Sequence, residues 1–591
     1  MQSLVCSPDL SVVALLGLYA AAFVLLLTPG ILASAPLLRR KQLESHQVPL
    51  FAFGVAAACG YLIFWVYYLN DVAGKLVSFG ALILLLTVYL DPYLRKVIVA
   101  ILSAREVKIP LLLTFGLGIF YTAVSYIGYF DAKECAGENV TFILQRTVPG
   151  SPDYLIQRLW ADRLYANMTP WNIVLDPDMA RTTMADRPPV LGGIALLFFA
   201  MVPRSLEHLY FMAITTIAST SWIAALALVC REARLGLDRA TLFVLAVSQT
   251  FYFYFSSIFT WPKALSGALL VGAFALLVLR PAMLSRRVSG AQLALGSAFA
   301  GLAFLAHNST LLLLVPVAAL LLTPQLFPGV RSCAIGSGIF LLIALPYTAL
   351  KSVKEPTASN LTKYTLTIPE SAPVEPEENR NLSIPEALKK AYAPLSWSEI
   401  ADNKWRNITP IFNPGCFGVC AGSTMKESNL HSEVLPVMGS MKLFNLGWLL
   451  FLPLAFLAPM LYGNSRQPAN AGLEAVRKIS SLCLVVAACG LLFYALISFQ
   501  QRVNNISSSG FMMLLFLAAG LRLFALRWSL ATFFFLCQFA YFQWIIWLNV
   551  VESHLQIVPL MALIYGLCAL MILTVAFRRS PISSNATPVA E

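Results

Sequence analysis

The sequence contains few charged residues for its length. Asp, Glu, Lys and Arg make up 12% of its 591 residues, whereas about 25% is usual in soluble globular proteins. This scarcity excludes an ordinary soluble protein. The chain also has no CxxC pair and no His/Cys cluster at metal-ligand spacing, which excludes a metal site of that kind. It shows no internal repeat, and this argues against a transporter built from inverted repeats.

The chain contains many long runs of apolar residues. Hydrophobic residues make up 58% of the chain, and runs of 18 or more apolar residues recur, each long enough to cross a bilayer. We therefore predict an all-α polytopic membrane protein with about fifteen transmembrane helices. The predicted spans are residues 10–37, 48–69, 75–91, 109–130, 207–230, 240–257, 264–280, 291–306, 309–323, 332–350, 443–463, 479–499, 509–522, 528–549 and 555–577.

The basic residues are distributed unevenly between the two sides of this map. With the N-terminus outside, the short outer loops hold only Lys75, Lys263 and Arg502. Cytoplasmic loops carry an excess of Lys and Arg, so this orientation is favoured and the C-terminus lies inside. The net charge of +12 is then mostly a topology signal, and we expect no nucleic-acid partner. The inner basic residues fall in segments 39–41, 95–108, 231–239, 280–287, 331, 466–478, 522–527 and 578–579.

Two segments are too long to be simple connections, and both fall on the outer side. We expect residues 131–206 to form an extracytoplasmic loop with two interfacial helices and residues 351–442 to form a small cap. The remaining parts are four N-terminal spans in 1–130, core spans in 207–350, C-terminal spans in 443–577 and a cytoplasmic tail in 578–591.

The stretch "SPDYLIQRLWADRLYAN", residues 151–167, predicts a charged amphipathic helix in the first outer loop. Asp153 falls in its first turn, where the helix dipole favours a carboxylate. Trp160 belongs to an apolar stripe that we expect to face the membrane, with Asp162 towards the other side. Residues 189–203, "PVLGGIALLFFAMVP", are short for a crossing, so we predict a second helix that lies in the interface or dips part-way into the bilayer.

Three short outer turns carry isolated polar or basic side chains. Lys263 follows Trp261 in "FTWPKALSG", and His307 precedes Asn308 in "LAHNSTL". Arg502 lies in "SFQQRVNNIS". A cation at headgroup depth, where topology disfavours it, is a candidate anion site, and a lipid phosphate is the natural ligand there. The alternatives are that Lys263 snorkels to the headgroups and that His307 is an ordinary polar turn residue.

The order of these elements resembles the GT-C superfamily of membrane glycosyltransferases. The likeness covers roughly residues 131–350 and includes carboxylate-bearing interfacial helices, a second helix started by "RPP", a span ending "CREARLGLDRA", and the "TWPK" and "LAH" turns. It implies a GT-C-like bundle that transfers a sugar from a polyprenyl-phosphate-linked donor to a cell-envelope glycan or lipid acceptor on the extracytoplasmic side. The chain departs from the commonest pattern because four spans precede the catalytic loop and no Asp-Asp or Asp-Glu pair follows its first span.

The resemblance also implies roles for individual residues. An inverting transfer needs one carboxylate to take a proton from the acceptor hydroxyl, and the family places this base early in the first large outer loop. Our order of preference for the base is Asp153, then Asp131, then Asp162. The leaving phosphate needs cations or hydrogen-bond donors. We predict that its ligands and their pocket are Lys263, His307, Arg187, Arg502, Asp186, Trp261 and Asn308.

Further expectations concern cofactors, cysteines and location. No acidic cluster suggests an obligate metal, so we expect no required cofactor and at most an optional divalent cation. Arg187 has an alternative role as the partner of Asp186. Cys416 and Cys420, on the predicted oxidising side, are expected to form a disulfide, the alternative being two free thiols. We expect the chain in the inner (plasma) membrane of a bacterium, with its site facing the periplasm or exterior.

Two other functions stay open on the sequence. A transporter or flippase of lipid-linked sugars would place its charges at the bilayer midplane, whereas the charges here crowd the outer face. An O-antigen ligase or polymerase-like enzyme resembles the family but lacks the carboxylate-bearing first loop. The sequence therefore favours the glycosyltransferase.

Overall fold

In the computed structural model, every regular element of the described residues is a helix, and these residues contain no strand. This confirms the predicted all-α fold class. The described residues are 8–130, 153–171, 187–203, 206–250, 253, 256–257, 261–354, 365–368, 382–408, 471–499, 510–525 and 535–536.

The helices fall into four groups along the chain. The N-terminal group contains α1 (Pro8–Arg39), α2 (Val48–Leu69), α3 (Asp71–Leu90), α4 (Pro92–Ser103) and α5 (Arg105–Phe130). The segment predicted as the first outer loop contains α6 (Asp153–Tyr165) and α7 (Val190–Phe199). The core group contains α8 (Glu207–Ser219), α9 (Ser221–Glu232), α10 (Leu237–Ser248), α11 (Lys263–Phe274), α12 (Arg280–Leu284), α13 (Gly290–Ala306), α14 (Leu311–Leu321) and α15 (Val330–Lys354). The last group contains α16 (Ile384–Tyr392), α17 (Trp397–Arg406), α18 (Ala471–Ile497) and α19 (Phe511–Ala525).

Seven helical stretches in the described residues are long and apolar enough to cross a membrane. The chain is therefore a polytopic membrane protein, although the predicted number of fifteen spans is not confirmed. Three predicted spans, 443–463, 528–549 and 555–577, lie outside the described residues. The seven stretches are Ala14–Arg39, Ser45–Leu69, Asp71–Leu90, Leu209–Glu232, Lys263–Leu284, Val330–Lys354 and Gly472–Ile497.

Helix α4 occupies a segment that the sequence map treats as an inner loop. Asp91 caps it, because its Oδ1 accepts hydrogen bonds from the backbone N–H groups of Tyr93 at 2.7 Å and Leu94 at 3.2 Å. Pro92 occupies the first helical position, where a missing N–H costs nothing. The helix has only twelve residues and carries charge, so a search for apolar runs passes over it.

Helix α6 turns its apolar face towards the protein. Ile156 and Trp160 are fully buried. The Trp160 ring meets the rings of Phe64 and Tyr347 edge-on, with centroids 5.6 and 6.3 Å apart. The prediction that this stripe faces the membrane is therefore wrong. Periodicity identifies an apolar face, but lipid and protein interior are equally apolar and periodicity does not distinguish them.

Helix α7 is buried over its whole length of ten residues and packs against α2. Ten residues rise about 15 Å, about half the thickness of a bilayer's hydrocarbon core, so α7 alone does not span it. The two helices touch backbone to backbone at Gly193 and Gly60. A Cβ atom at position 193 would lie 2.1 Å from the Gly60 carbonyl oxygen, so the packing requires glycine there.

Lys263 lies at one end of a continuous helical stretch, and an ion-pair cluster around Arg280 lies at the other end. Helix α11 continues through a π-helical turn, Ala275–Leu279, into α12 without a break. Lys263 begins this stretch, and Arg280 follows seventeen residues later, about 26 Å along the axis. Arg280 forms ion pairs with Glu44 and with Glu232, the latter at 3.4 Å. Which end faces the cytoplasm stays a prediction.

Candidate functional site

Lys263 is held in place at the start of α11. Its ammonium nitrogen lies over the ring of Trp261, 3.4 Å from the centroid. Trp261 is itself buried, and the Ser219 hydroxyl donates a hydrogen bond to its carbonyl oxygen at 3.4 Å. The cation–π attraction fixes the ammonium against the indole face. This half-buried position differs from that of a lysine whose chain extends freely to the headgroups.

His307 lies buried in the turn between α13 and α14. The backbone N–H of Ser309 donates to its Nδ1 at 3.3 Å, and the Ser309 hydroxyl lies 2.7 Å from the same nitrogen. A backbone N–H only donates, so Nδ1 is the acceptor and we assign the hydrogen of the neutral ring to Nε2. The Ser266 hydroxyl donates to the Ala303 carbonyl at 3.0 Å and so ties α11 to the end of α13.

The positive charges of Lys263 and Arg187 both act on His307. Burial lowers the pKa of His307 well below its ordinary value, and the two cations lower it further. A charge shifts a pKa in this way only when it lies nearby. The imidazole is therefore neutral at pH 7. Three segments far apart in sequence meet at this point, and we name Arg187, Lys263 and His307 the cationic site.

Helix α6 fixes the backbone around Arg187. The indole N–H of Trp160 donates to the Arg187 carbonyl at 3.0 Å. The side-chain amide of Gln157 donates to the Pro188 carbonyl at 3.1 Å. Both donors project from the buried face of α6, so the turn that carries Arg187 is attached to a packed helix.

Gln157 also caps α7 from outside that helix. Its Oε1 accepts a hydrogen bond from the backbone N–H of Gly192 at 2.9 Å, and Gly192 is the third residue of α7. The preceding residue, Pro189, supplies no side-chain cap, so this N–H would otherwise lack a partner inside the protein. Gln157 is not among the residues predicted from the sequence. The available signal was a lone amide beside Ile156 in an otherwise apolar stripe.

The two described candidate bases lie on opposite faces of α6. Asp153 is its first residue, and Asp162 lies nine residues later, which is two and a half turns. Position 153 falls one turn before Gln157, on the face that packs against α7. On the other face, Asp162 pairs with Arg158 at 3.3 Å; burial raises the pKa of Asp162, and the arginine partly offsets this rise. Position 153 therefore lies on the side of α6 that faces α7, and position 162 lies on the other side.

The remaining predicted residues are placed as follows. Asn308 directly follows His307 and is exposed. The roles of all these residues stay predictions. No group of three or more His, Cys, Asp or Glu side chains that could hold a metal occurs among the described residues. Five predicted residues lie outside the described residues, namely Asp131, Asp186, Arg502, Cys416 and Cys420.

Similarity to a known protein is found at the level of structure. No protein-family model matches the chain, and no curated protein sequence matches it. The structure is similar to the crystal structure of ArnT from Cupriavidus metallidurans bound to undecaprenyl phosphate. The two chains share 14% sequence identity, the match covers 78% of this chain and 76% of ArnT, and the TM-score is 0.38.

Proposed function

We propose that this protein is a GT-C-type membrane glycosyltransferase. It transfers a sugar from a polyprenyl-phosphate-linked donor to a cell-envelope glycan or lipid acceptor on the extracytoplasmic side of a bacterial inner membrane. The observation that carries the proposal is the cationic site. Two cations and a neutral imidazole from three separate segments meet at one end of an apolar bundle, which suits a phosphate group on a long apolar chain.

The cationic site suits a leaving phosphate. Lys263 and Arg187 offset the negative charge that grows on the phosphate as its bond to the sugar breaks. His307 carries its hydrogen on Nε2 and donates it as a hydrogen bond to a phosphate oxygen. A neutral imidazole adds a donor without adding a third positive charge, so it does not increase the repulsion between the two cations.

The reaction then needs one base. Asp153 takes the proton of the acceptor hydroxyl, the acceptor oxygen attacks the anomeric carbon, and the carbon–oxygen bond to the phosphate breaks. The products are the glycosylated acceptor, with inverted configuration, and polyprenyl phosphate. Position 153 is preferred because α6 places it on the face that carries Gln157 and packs against α7. Asp131 and Asp162 are the alternatives, and no step requires a divalent cation.

The distribution of charge favours this reaction over transport through the membrane. Among the described residues, no Asp, Glu, Lys or Arg residue is buried as a whole, and the Glu232 side chain, which is 8% exposed, pairs with Arg280 at the opposite end of the bundle from the cationic site. A transporter of charged or sugar-phosphate substrates would carry such groups at the midplane. Chemistry at one surface of the bundle needs none there.

Binding of polyprenyl phosphate to the purified full-length protein tests the site. Lys263→Gln removes one charge-assisted contact, so the affinity should fall about tenfold to a hundredfold. Lys75→Gln is a matched control, because Lys75 is also an outer lysine and lies over an aromatic ring, Tyr165, at 4.6 Å. An equal loss of affinity in both variants would place the phosphate away from Lys263.

Turnover and sidedness test the rest of the proposal. Polyprenyl-phosphate-linked sugars should release polyprenyl phosphate when the protein and an envelope acceptor are present, with or without EDTA. A cysteine at position 308, in a chain whose other cysteines are replaced, should react with a membrane-impermeant maleimide from outside the cell. A cysteine at position 95, an exposed residue of α4 on the predicted inner side, should not react. Reversed labelling would reject the extracytoplasmic site.

A further inference from the structure

A cavity of about 690 Å³ lies at the far end of the bundle from the cationic site. The end of α1, helix α4 and the start of α5 surround it. Glu44 lines this cavity and pairs with Arg280, which begins α12 about 26 Å from Lys263. The cavity is therefore separate from the proposed donor site, and on the sequence map it faces the cytoplasm.

The two acidic residues of the cavity wall are already paired with arginines of the core helices. Glu44 binds Arg280, and Glu106 binds Arg231. Both arginines come from behind the wall, from α12 and α9. The acids are thus neutralised from inside the protein, and they repel an incoming anion only weakly.

The two basic residues of the wall have no such acid. Arg39 and Lys41 line the cavity and are exposed, and within the described residues neither pairs with a carboxylate. The guanidinium of Arg39 donates only a long hydrogen bond, 3.4 Å, to the Tyr93 hydroxyl. Two unneutralised cations two residues apart at the mouth of one cavity favour an anionic group with several oxygens, such as a phosphate.

The rest of the wall is apolar and lies beside an amphipathic helix. Leu38 and Ile101 are among the lining residues. On α4, Tyr93 is 61% exposed and Val99 is 60% exposed. A short helix with exposed apolar side chains and adjacent basic residues is typical of a helix that lies at a membrane surface. An occupant of this cavity therefore meets positive charge at its mouth and an apolar wall further in.

We propose that this cavity binds an anionic phospholipid of the inner leaflet. The phosphate diester contacts Arg39 and Lys41, and the first part of an acyl chain lies along Leu38 and Ile101. A phosphate on a small soluble molecule shares the headgroup chemistry but has nothing to place on the apolar wall. The experiment therefore compares the lipid with its soluble counterpart.

The test uses the full-length protein in phosphatidylcholine nanodiscs, into which dioleoyl phosphatidylglycerol is titrated, with native mass spectrometry to count bound lipids. The double variant Arg39→Gln with Lys41→Asn removes both cations, and asparagine tolerates the left-handed backbone at position 41, where φ is 53°. At the strength usual for basic residues near anionic lipid, loss of two should weaken binding about thirtyfold.

The matched control is Arg95→Gln with Lys96→Gln. These exposed residues lie on α4, on the same side of the map, but they do not line the cavity. The control removes the same charge but no residue that lines the cavity, so it should weaken binding clearly less than the double variant does. Equal weakening in both double variants would mean general attraction to an anionic surface and would overturn the proposal.

Two further results would also overturn it. One is binding of sn-glycerol 3-phosphate as tight as that of the lipid, which would assign the cavity to a soluble phosphate. The other is equal retention of phosphatidylcholine by the wild-type protein. Thermal unfolding in phosphatidylcholine alone, unchanged between wild type and the double variant, shows that the variant folds. If it does not fold, Arg39→Gln alone should still weaken binding about fivefold.

Discussion

Replacement of Gln157 by leucine should destabilise the protein and weaken donor binding together. Leucine fills a similar volume but offers no hydrogen bond. The Pro188 carbonyl and the Gly192 N–H, which Gln157 joins at 3.1 and 2.9 Å, are both buried and would lose their partner. Each unsatisfied buried group costs about 1–3 kcal/mol, so the pair costs about 2–6 kcal/mol of unfolding free energy.

The same change should act on the cationic site. Pro188 is the residue after Arg187, so loss of the hydrogen bond from Gln157 to the Pro188 carbonyl makes the backbone that carries the Arg187 guanidinium more mobile. We expect polyprenyl phosphate to bind about tenfold more weakly, because one charge-assisted contact is misplaced. The two readouts are thermal unfolding in detergent and lipid-phosphate affinity in nanodiscs.

A neighbouring variant provides the control. Arg158→Gln changes the next residue of α6, which pairs with the partly exposed Asp162 at 3.3 Å. Such pairs contribute about 0–1 kcal/mol, so this variant should unfold close to wild type. If the Gln157→Leu protein unfolds no earlier than the Arg158→Gln protein, and binds the lipid equally well, the capping and positioning roles of Gln157 are refuted.

Three other predictions address pH, packing and the base. Below about pH 6.5, His307 is protonated in the unfolded chain but stays neutral in the folded protein, so each unit by which the pH is lowered should reduce the unfolding free energy by up to about 1.4 kcal/mol. His307→Gln should make the unfolding free energy depend less on pH in this range. An unchanged slope in this variant would contradict the lowered pKa of His307. Gly193→Ala places a methyl group against the backbone of α2 and should lower the unfolding free energy by about 3 kcal/mol. Gly80→Ala is the control, because position 80 has open space around it, and this variant should be as stable as wild type or slightly more stable in thermal unfolding. Asp153→Asn should abolish sugar transfer without changing expression, whereas Asp162→Asn should keep sugar transfer. The opposite pattern in a turnover assay would assign the base to Asp162, on the other face of α6.

Hydropathy located the long helices well. The predicted span 48–69 coincides with Val48–Leu69, and the predicted span 332–350 lies within Val330–Lys354. Their apolar runs are long and end in polar turns, and such runs have one stable outcome in a bilayer. The short elements were harder. Helix α4 is too charged to be found by a search for apolar runs, and the break at Thr220 between α8 and α9 has no proline or glycine to indicate it.

Residue type and position in the sequence identified two members of the candidate site, and their roles stay predictions. Lys263 and His307 stood out because they interrupt apolar helices at one predicted surface. Their approach to Arg187 depends on how α7 and α13 pack, and spacing along the chain does not determine that. Gln157 was missed for the same reason, since its partners lie 31 and 35 residues away.

The depth of α7 has a consequence for biosynthesis. A translocating chain releases into lipid those segments that are long enough to span it, and a ten-residue stretch does not qualify. We expect α7 to reach its place only after α2 has been inserted, by docking sideways onto a surface that already exists. The turn that carries Arg187 would then reach its final place only when α7 docks, so chains with faulty membrane insertion would have an incomplete cationic site.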